Sequence, residues 1–157
     1  MKELVFISSV QKELANERQV IRDFIRGDAL LGQYFDVFLF EDLPANNQTP
    51  GQLYLAEVDR AAVYLGVFAN EYGWEDDEGL SPTAREFDHA TRKKKNRLVF
   101  VKGADDSQRH PKMKTLIRKA EGQLTRRRFI DAADLTGKVY ASLIRHLEQR
   151  GVLPRRP

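Results

Sequence analysis

Glu86 is the residue whose type and position in the sequence best suit a chemical role. It lies in the stretch 81–90, where Ser81 is a good N-cap and Pro82 fits the first position of a helix. The helix dipole favours a carboxylate in the first two turns. A well-capped helix by itself would explain these residues, so a chemical role for Glu86 depends on what lies beside it.

A polar and aromatic loop precedes this helix. Residues 63–68 form a continuous apolar run typical of a buried strand, and Asn70, Tyr72 and Trp74 follow it. Open α/β sheets bind ligands at the C-terminal ends of their strands. We therefore expect this loop to face a ligand cleft, where the rings of Tyr72 and Trp74 could contact the ligand. The alternative is that both rings only pack the loop.

Two further segments should end at the same edge of the sheet. Ser8 and Ser9 end the first predicted strand, and Glu41 ends the second. The two serines could bind phosphate oxygens together with backbone amides of the next helix, or they could simply cap that helix. The predicted cleft residues are Ser8, Ser9, Glu41, Asn70, Tyr72, Trp74 and Glu86.

The elements that position these residues alternate between apolar runs and helical periodicity. Strands are predicted over 2–8, 35–40, 62–68, 98–101 and, more weakly, 128–130; helices are predicted over 10–26, 52–60 and 82–94, around 113–124 and around 139–147. Apolar strands alternating with helices are typical of a parallel sheet covered on both faces. We predict a flavodoxin-like three-layer α/β sandwich with five parallel strands in the order 2-1-3-4-5.

The length and composition of the chain limit the class of protein. At 157 residues, with 41% hydrophobic and 31% charged residues, the chain fits one domain, which we place at 1–153. Residues 154–157 are interpreted as a linker cut short before a further domain. No apolar run is long enough to span a membrane and the N-terminus does not resemble a signal peptide, so we expect a cytoplasmic protein.

Metal and nucleic-acid chemistry are not indicated. The chain has no cysteine and three scattered histidines, so we expect neither a metal site nor a bound cofactor. The formal net charge is +3, and basic runs such as 93–95 and 126–128 are interpreted as solvated faces.

A set of short motifs resembles a bacterial TIR-like domain of unknown function. These motifs are residues 6–10, Glu13, Glu17 with Arg18, 54–58, 64–66, 71–73 and 81–90, and the resemblance extends from Val5 to about Leu153. It implies an N-terminal, TIR-like module that assembles with copies of itself. It also implies a downstream regulatory, ATPase or DNA-binding domain.

The resemblance extends to the TIR domains that cleave NAD and to the nucleoside deoxyribosyltransferases. In both, a glutamate near the start of this helix acts on a ribosyl N-glycosidic bond, and Glu86, Phe87 and Ala90 fit their spacing. The resemblance therefore implies that Glu86 is catalytic, that NAD or a related nucleotide is the substrate, and that the setting is bacterial defence or signalling. The alternative is a non-catalytic module that senses a nucleotide or self-assembles.

Ala84 departs from the family pattern, which usually has a second glutamate there; Ala62 and Ala69 also depart from it. Either Glu86 is the working carboxylate, or this chain is an inactive form. Side chains two positions apart on a helix point about 200° apart, and the spacing to Phe87 places position 84 near the core side. We expect glutamate restored at 84 to raise any glycohydrolase activity and Glu86→Gln to abolish it.

Overall fold

The computed structural model describes residues 1–155, so Arg156 and Pro157 of the predicted linker lie outside the described residues. Five strands form one sheet: β1 (Glu3–Ser8), β2 (Phe35–Phe38), β3 (Val63–Phe68), β4 (Asn96–Lys102) and β5 (Arg127–Phe129). Their order is β2-β1-β3-β4-β5 and every neighbouring pair is parallel. The predicted flavodoxin-like architecture is confirmed.

Helices cover both faces of this sheet. They are α1 (Ala15–Gly27), α2 (Leu31–Tyr34), α3 (Pro50–Arg60), α4 (Pro82–Arg92), α5 (Pro111–Glu121) and α6 (Ala132–Gln149). Successive side chains of a strand point to opposite faces. Val5 accordingly packs with α1, α2 and α6, while Phe6 packs with α3, α4 and α5. Within residues 1–155, no helix is long and apolar enough to cross a membrane.

Two boundaries near the sheet edge differ from the prediction. Residues 11–14 form a turn, in which the Leu14 N–H donates to the Val10 carbonyl at 3.0 Å, and α1 begins only at Ala15. Its N-cap is Leu14, without a side-chain cap, so Ser8 and Ser9 do not cap this helix. Strand β2 ends at Phe38, and a 3-10 turn over Phe40–Asp42 carries Glu41.

The start of α4 is fixed by its cap. The Ser81 hydroxyl accepts a hydrogen bond from the Ala84 N–H at 3.1 Å, and Pro82 occupies the first helical turn. Ala84, Phe87 and Ala90 are buried on the core side of the helix. Cap and core together place the second turn of α4 beside the ends of β1 and β3.

Replacing Ser81 by alanine should destabilise the fold by about 1–2 kcal/mol, because the N–H of the buried Ala84 would lose its acceptor. Urea unfolding measures the change. Thr49→Ala, which removes the exposed cap of α3, is the matched control and should cost less. An unchanged free energy of unfolding in Ser81→Ala would contradict this account of the helix start.

Candidate active site

Glu86 is the buried carboxyl at this edge of the sheet. It is 4% exposed, and its Oε1 accepts a hydrogen bond of 2.6 Å from the hydroxyl of Ser8, the last residue of β1. Burial raises the pKa of Glu86 to about 8, although the Ser8 hydrogen bond and the positive charge of Arg18 oppose part of this rise. Glu86 is therefore mostly neutral near pH 7 in the free protein and becomes half ionised only near pH 8.

Arg18 ties the ends of β1 and β2 together beside Glu86. It is buried on α1, and its Nε and Nη2 donate to the two carboxylate oxygens of Glu41 at 2.8 and 2.9 Å. Its Nη1 donates to Ser9 Oγ at 2.9 Å. Although burial raises the pKa of Glu41, the hydrogen bonds from Arg18 bring it below its ordinary value. Glu41 thus holds Arg18, and Arg18 orients the Ser9 hydroxyl.

A first cavity of about 230 Å³ lies over these residues, and we name it the polar chamber. Its walls are Ile7, Ser9, Val10, Gln11, Arg18, Tyr54, Gly73, Trp74, Pro82, Thr83 and Glu86. Gln11 Nε2 donates to Tyr54 Oη at 2.7 Å. Burial raises the pKa of Tyr54 to about 12, so its hydroxyl keeps its proton at neutral pH. The chamber therefore offers hydroxyl and amide groups suited to a sugar.

A second cavity of about 720 Å³ adjoins the first, and we name it the apolar chamber. Its walls are Phe40, Pro50, Gly51, Tyr54, Leu55, Trp74, Asp76, Leu80, Pro82, Arg85 and Glu86. Tyr54, Trp74, Pro82 and Glu86 line both chambers. Glu86 therefore lies where a polar and an apolar cavity meet.

Most of the predicted cleft residues lie at this edge. Ser9, Trp74 and Glu86 line the chambers, Ser8 holds Glu86, and Glu41 acts through Arg18. Trp74 is 76% exposed, which places it at the rim.

Asn70 and Tyr72 do not line either chamber. Tyr72 is buried against α5, where its ring stacks on His110 with centroids 5.6 Å apart, and Asn70 Oδ1 accepts from Arg109 at 3.4 Å. The Glu13 carboxylate accepts from the backbone N–H groups of Asn70 and Glu71 at 3.0 and 3.1 Å, which holds the loop in this position. The structure thus places Tyr72 as a loop-packing residue.

Sequence reasoning assigned no site role to Arg18, Gln11 or Tyr54. Arg18 had a signal, because it lies four residues after Leu14 and three before Ile21, on the apolar face of α1. A charged residue on a buried face needs partners, and these usually form a structured polar site. The positions of the Gln11 and Tyr54 side chains depend on the path of the turn 11–14 and on the placement of α3. Hydrophobic periodicity predicts neither of these.

Ala84 lies on the opposite side of α4 from Glu86. It is buried in the cluster that contains Phe68, Tyr72 and Phe87, and it lines neither chamber. A glutamate at 84 would place a carboxyl in an apolar environment, which is costly without a partner. The gain of activity expected on restoring glutamate stays a prediction. A side chain at position 84 faces the core, so it would not contact either chamber directly.

The Tyr64 hydroxyl lies near Ser8 and Glu86: burial raises the pKa of this phenol, and the Ser8 hydroxyl and the Glu86 charge act on it as well. Tyr64 is fully buried, and its hydroxyl makes no hydrogen bond within residues 1–155. A Cβ placed on Gly66 would lie 3.1 Å from this hydroxyl, and Gly66 pairs with Ser8 in the sheet. Because Gly66 has no side chain, the Tyr64 ring and hydroxyl can pack directly against it.

The architecture, an α/β sandwich with a buried carboxyl at the C-terminal ends of its strands, is that of a doubly wound domain, and such domains generally bind their ligands at this edge of the sheet. Residues 4–144 match the model of the family described as Domain of unknown function (DUF4062), and the chain belongs to this family. No curated protein is significantly similar to it.

A solved structure shares the fold. The Clostridium botulinum CMP N-glycosidase BcmB superposes with a TM-score of 0.53 at 14% identity, covering 88% of this chain and 99% of that chain. At this identity the likeness establishes a common fold. The finer assignment to the TIR-like domains stays a prediction.

The raised pKa of Glu86 should make stability depend on pH. Between its ordinary value of 4.5 and about 8, the folded protein retains a proton that the unfolded chain has lost. The free energy of unfolding should therefore fall as the pH rises through this window, by up to about 1.4 kcal/mol per pH unit. Glu86→Gln should remove this slope, as measured by urea unfolding between pH 5 and 9.

The exposed Glu71→Gln is the matched control and should keep the wild-type slope. If Glu86→Gln and wild type show the same pH dependence, the pKa of Glu86 lies near its ordinary value and its carboxyl is solvated.

Proposed function

We propose that this protein hydrolyses the N-glycosidic bond of a nucleotide, with Glu86 as the carboxylate that acts at the anomeric carbon. The observation that carries the proposal is the position of Glu86 at the junction of the polar and apolar chambers, hydrogen-bonded by Ser8. A nucleotide lying across this junction would place its sugar among polar groups and its base among apolar ones. The bond between them would then lie beside the carboxylate.

The chemistry requires stabilisation of a cationic sugar. As the bond from C1′ to the base nitrogen breaks, its electron pair goes to the base and positive charge develops on the ribose ring. An ionised Glu86 stabilises this charge or bonds to C1′. A departing purine or pyrimidine takes a proton from water, whereas nicotinamide leaves NAD as a neutral molecule and needs none. A water molecule then adds to C1′ and loses its proton, which completes the hydrolysis and regenerates the carboxylate.

The comparisons support the class of reaction. The structure that shares the fold is named a CMP N-glycosidase. A protein with this architecture is therefore named for cleavage of a glycosidic bond in a nucleotide. The resemblance to NAD-cleaving TIR domains adds NAD to the proposed substrates and bacterial defence or signalling to the proposed setting. Self-assembly and a downstream regulatory domain belong to the same proposal.

A second candidate function is nucleotide sensing without turnover. The observation that favours it is the pKa of Glu86, which burial raises to about 8. At neutral pH most molecules carry a neutral carboxyl, which can bind a sugar hydroxyl without stabilising a cation. Binding of a nucleotide with no release of its base would identify this function.

Glu86→Gln should lower the rate of base release by at least about 100-fold, because an amide cannot stabilise the sugar cation as a carboxylate does. The purified protein is incubated with CMP, AMP or NAD, and the free base is measured by chromatography. Glu71→Gln should match wild type. Base release that persists unchanged in Glu86→Gln would assign the reaction to another residue.

The rate of base release should rise with pH and level off above about 8, because ionised Glu86 is the active form. The Ser8 hydroxyl lowers the pKa of Glu86 by donating a hydrogen bond, so Ser8→Ala should move the rising limb to higher pH. A rate that falls above pH 8 would instead mean that Glu86 acts as an acid.

A further inference from the structure

We propose that the apolar chamber binds the base of the substrate and favours a fused two-ring purine over a single-ring pyrimidine. This inference rests on the proposed function, because it assigns the base end of the same nucleotide to one chamber and the sugar end to the other. The proposal involves no hydrogen bonds that would recognise the edge of one particular base. The preference comes from contact area.

The walls of the apolar chamber suit a planar, uncharged ring. The rings of Phe40 and Tyr54 pack together with centroids 4.8 Å apart, and Leu55 and Leu80 add aliphatic surface. Trp74 lies at the rim with 76% of its surface exposed. Stacking of a base on aromatic side chains is favourable for every base because each has a π-face, and the apolar area buried is larger for two rings than for one.

The charged side chains of the wall are engaged with neighbours and not arranged to read a base edge. Arg85 Nε donates to Asp76 Oδ2 at 2.5 Å, and Asp76 Oδ1 accepts from the N–H groups of Glu78 and Leu80 at 2.9 and 3.1 Å. A phosphate here would meet the Asp76 carboxylate together with Arg85, whose charge that carboxylate already neutralises, and it would lose its hydration to apolar walls, which is unfavourable. The phosphate end of a nucleotide is therefore directed away from this chamber.

The polar chamber suits the sugar. Ser9 Oγ accepts from Arg18, so its own hydrogen is left to donate to a ligand, and Gln11 and Thr83 provide further polar groups. Its volume of about 230 Å³ is small beside the 720 Å³ of the apolar chamber. If the sugar occupies the polar chamber, the base lies on the other side of Glu86, in the larger apolar chamber.

An apolar pocket discriminates modestly between ligands that differ in size. Extra apolar groups in such pockets typically change kcat/KM by about 10-fold to 200-fold. We expect kcat/KM for AMP to exceed that for CMP by about tenfold, near the lower end of this range, because the rim of the chamber is open to solvent.

Gly51 offers a way to narrow the apolar chamber without disturbing the fold. It lines the chamber, and a Cβ placed on it meets no atom within 4 Å. Gly51→Leu should lower kcat/KM for AMP by about tenfold or more and affect CMP less. Gly137→Leu on α6, where a Cβ also meets no atom within 4 Å, is the matched control and should behave as wild type.

Binding is measured separately from turnover. Trp74 is the single tryptophan of the chain and lies at the chamber rim, so its fluorescence reports a base that stacks there. In Glu86→Gln, which blocks the proposed reaction, AMP should quench this fluorescence at concentrations about tenfold lower than CMP. Adding Gly51→Leu should remove most of that difference.

The two readouts separate the two proposals. Tighter quenching by AMP without Glu86-dependent base release would overturn the proposed function and retain the purine-binding chamber. Base release with CMP equal to or better than AMP, or quenching by AMP that is no tighter than by CMP, would overturn the purine preference. Equal losses for both nucleotides in Gly51→Leu would do the same.

Discussion

The hydrogen bond from Ser8 to Glu86 is the interaction on which the site depends. It joins the end of the first strand to the second turn of α4, and both residues are buried. A buried carboxyl that kept its charge would need strong partners, and here a single hydroxyl and the nearby charge of Arg18 offset only part of the burial. The result is a carboxyl whose pKa lies close to physiological pH, which is typical of residues that work in catalysis.

The rest of the sheet edge fixes the surroundings of this bond. Arg18 and Glu41 tie the turn after β2 to Ser9, and Glu13 holds the loop that follows β3. The Tyr64 hydroxyl is buried near Ser8 and makes no hydrogen bond of normal geometry within residues 1–155, although the Ser8 hydroxyl acts on the pKa of this phenol.

The alternation of apolar strands and helices was enough to predict the topology, because five such units have few arrangements that satisfy right-handed crossovers. The capped start of α4 likewise placed Glu86 correctly beside the strand ends. The direction of Tyr72 could not be predicted, because it is set by its stacking on His110, a residue 38 positions later in the chain. The turn 11–14 was missed since its residues continue the helical spacing of α1, although the helix itself begins at Ala15.

The most direct measurement is a crystal structure of Glu86→Gln with AMP bound. The account predicts the sugar in the polar chamber, the base in the apolar chamber, and C1′ about 3–3.5 Å from the side chain of residue 86, a separation suited to attack. A nucleotide bound with C1′ outside the reach of residue 86, or bound away from both chambers, would contradict it.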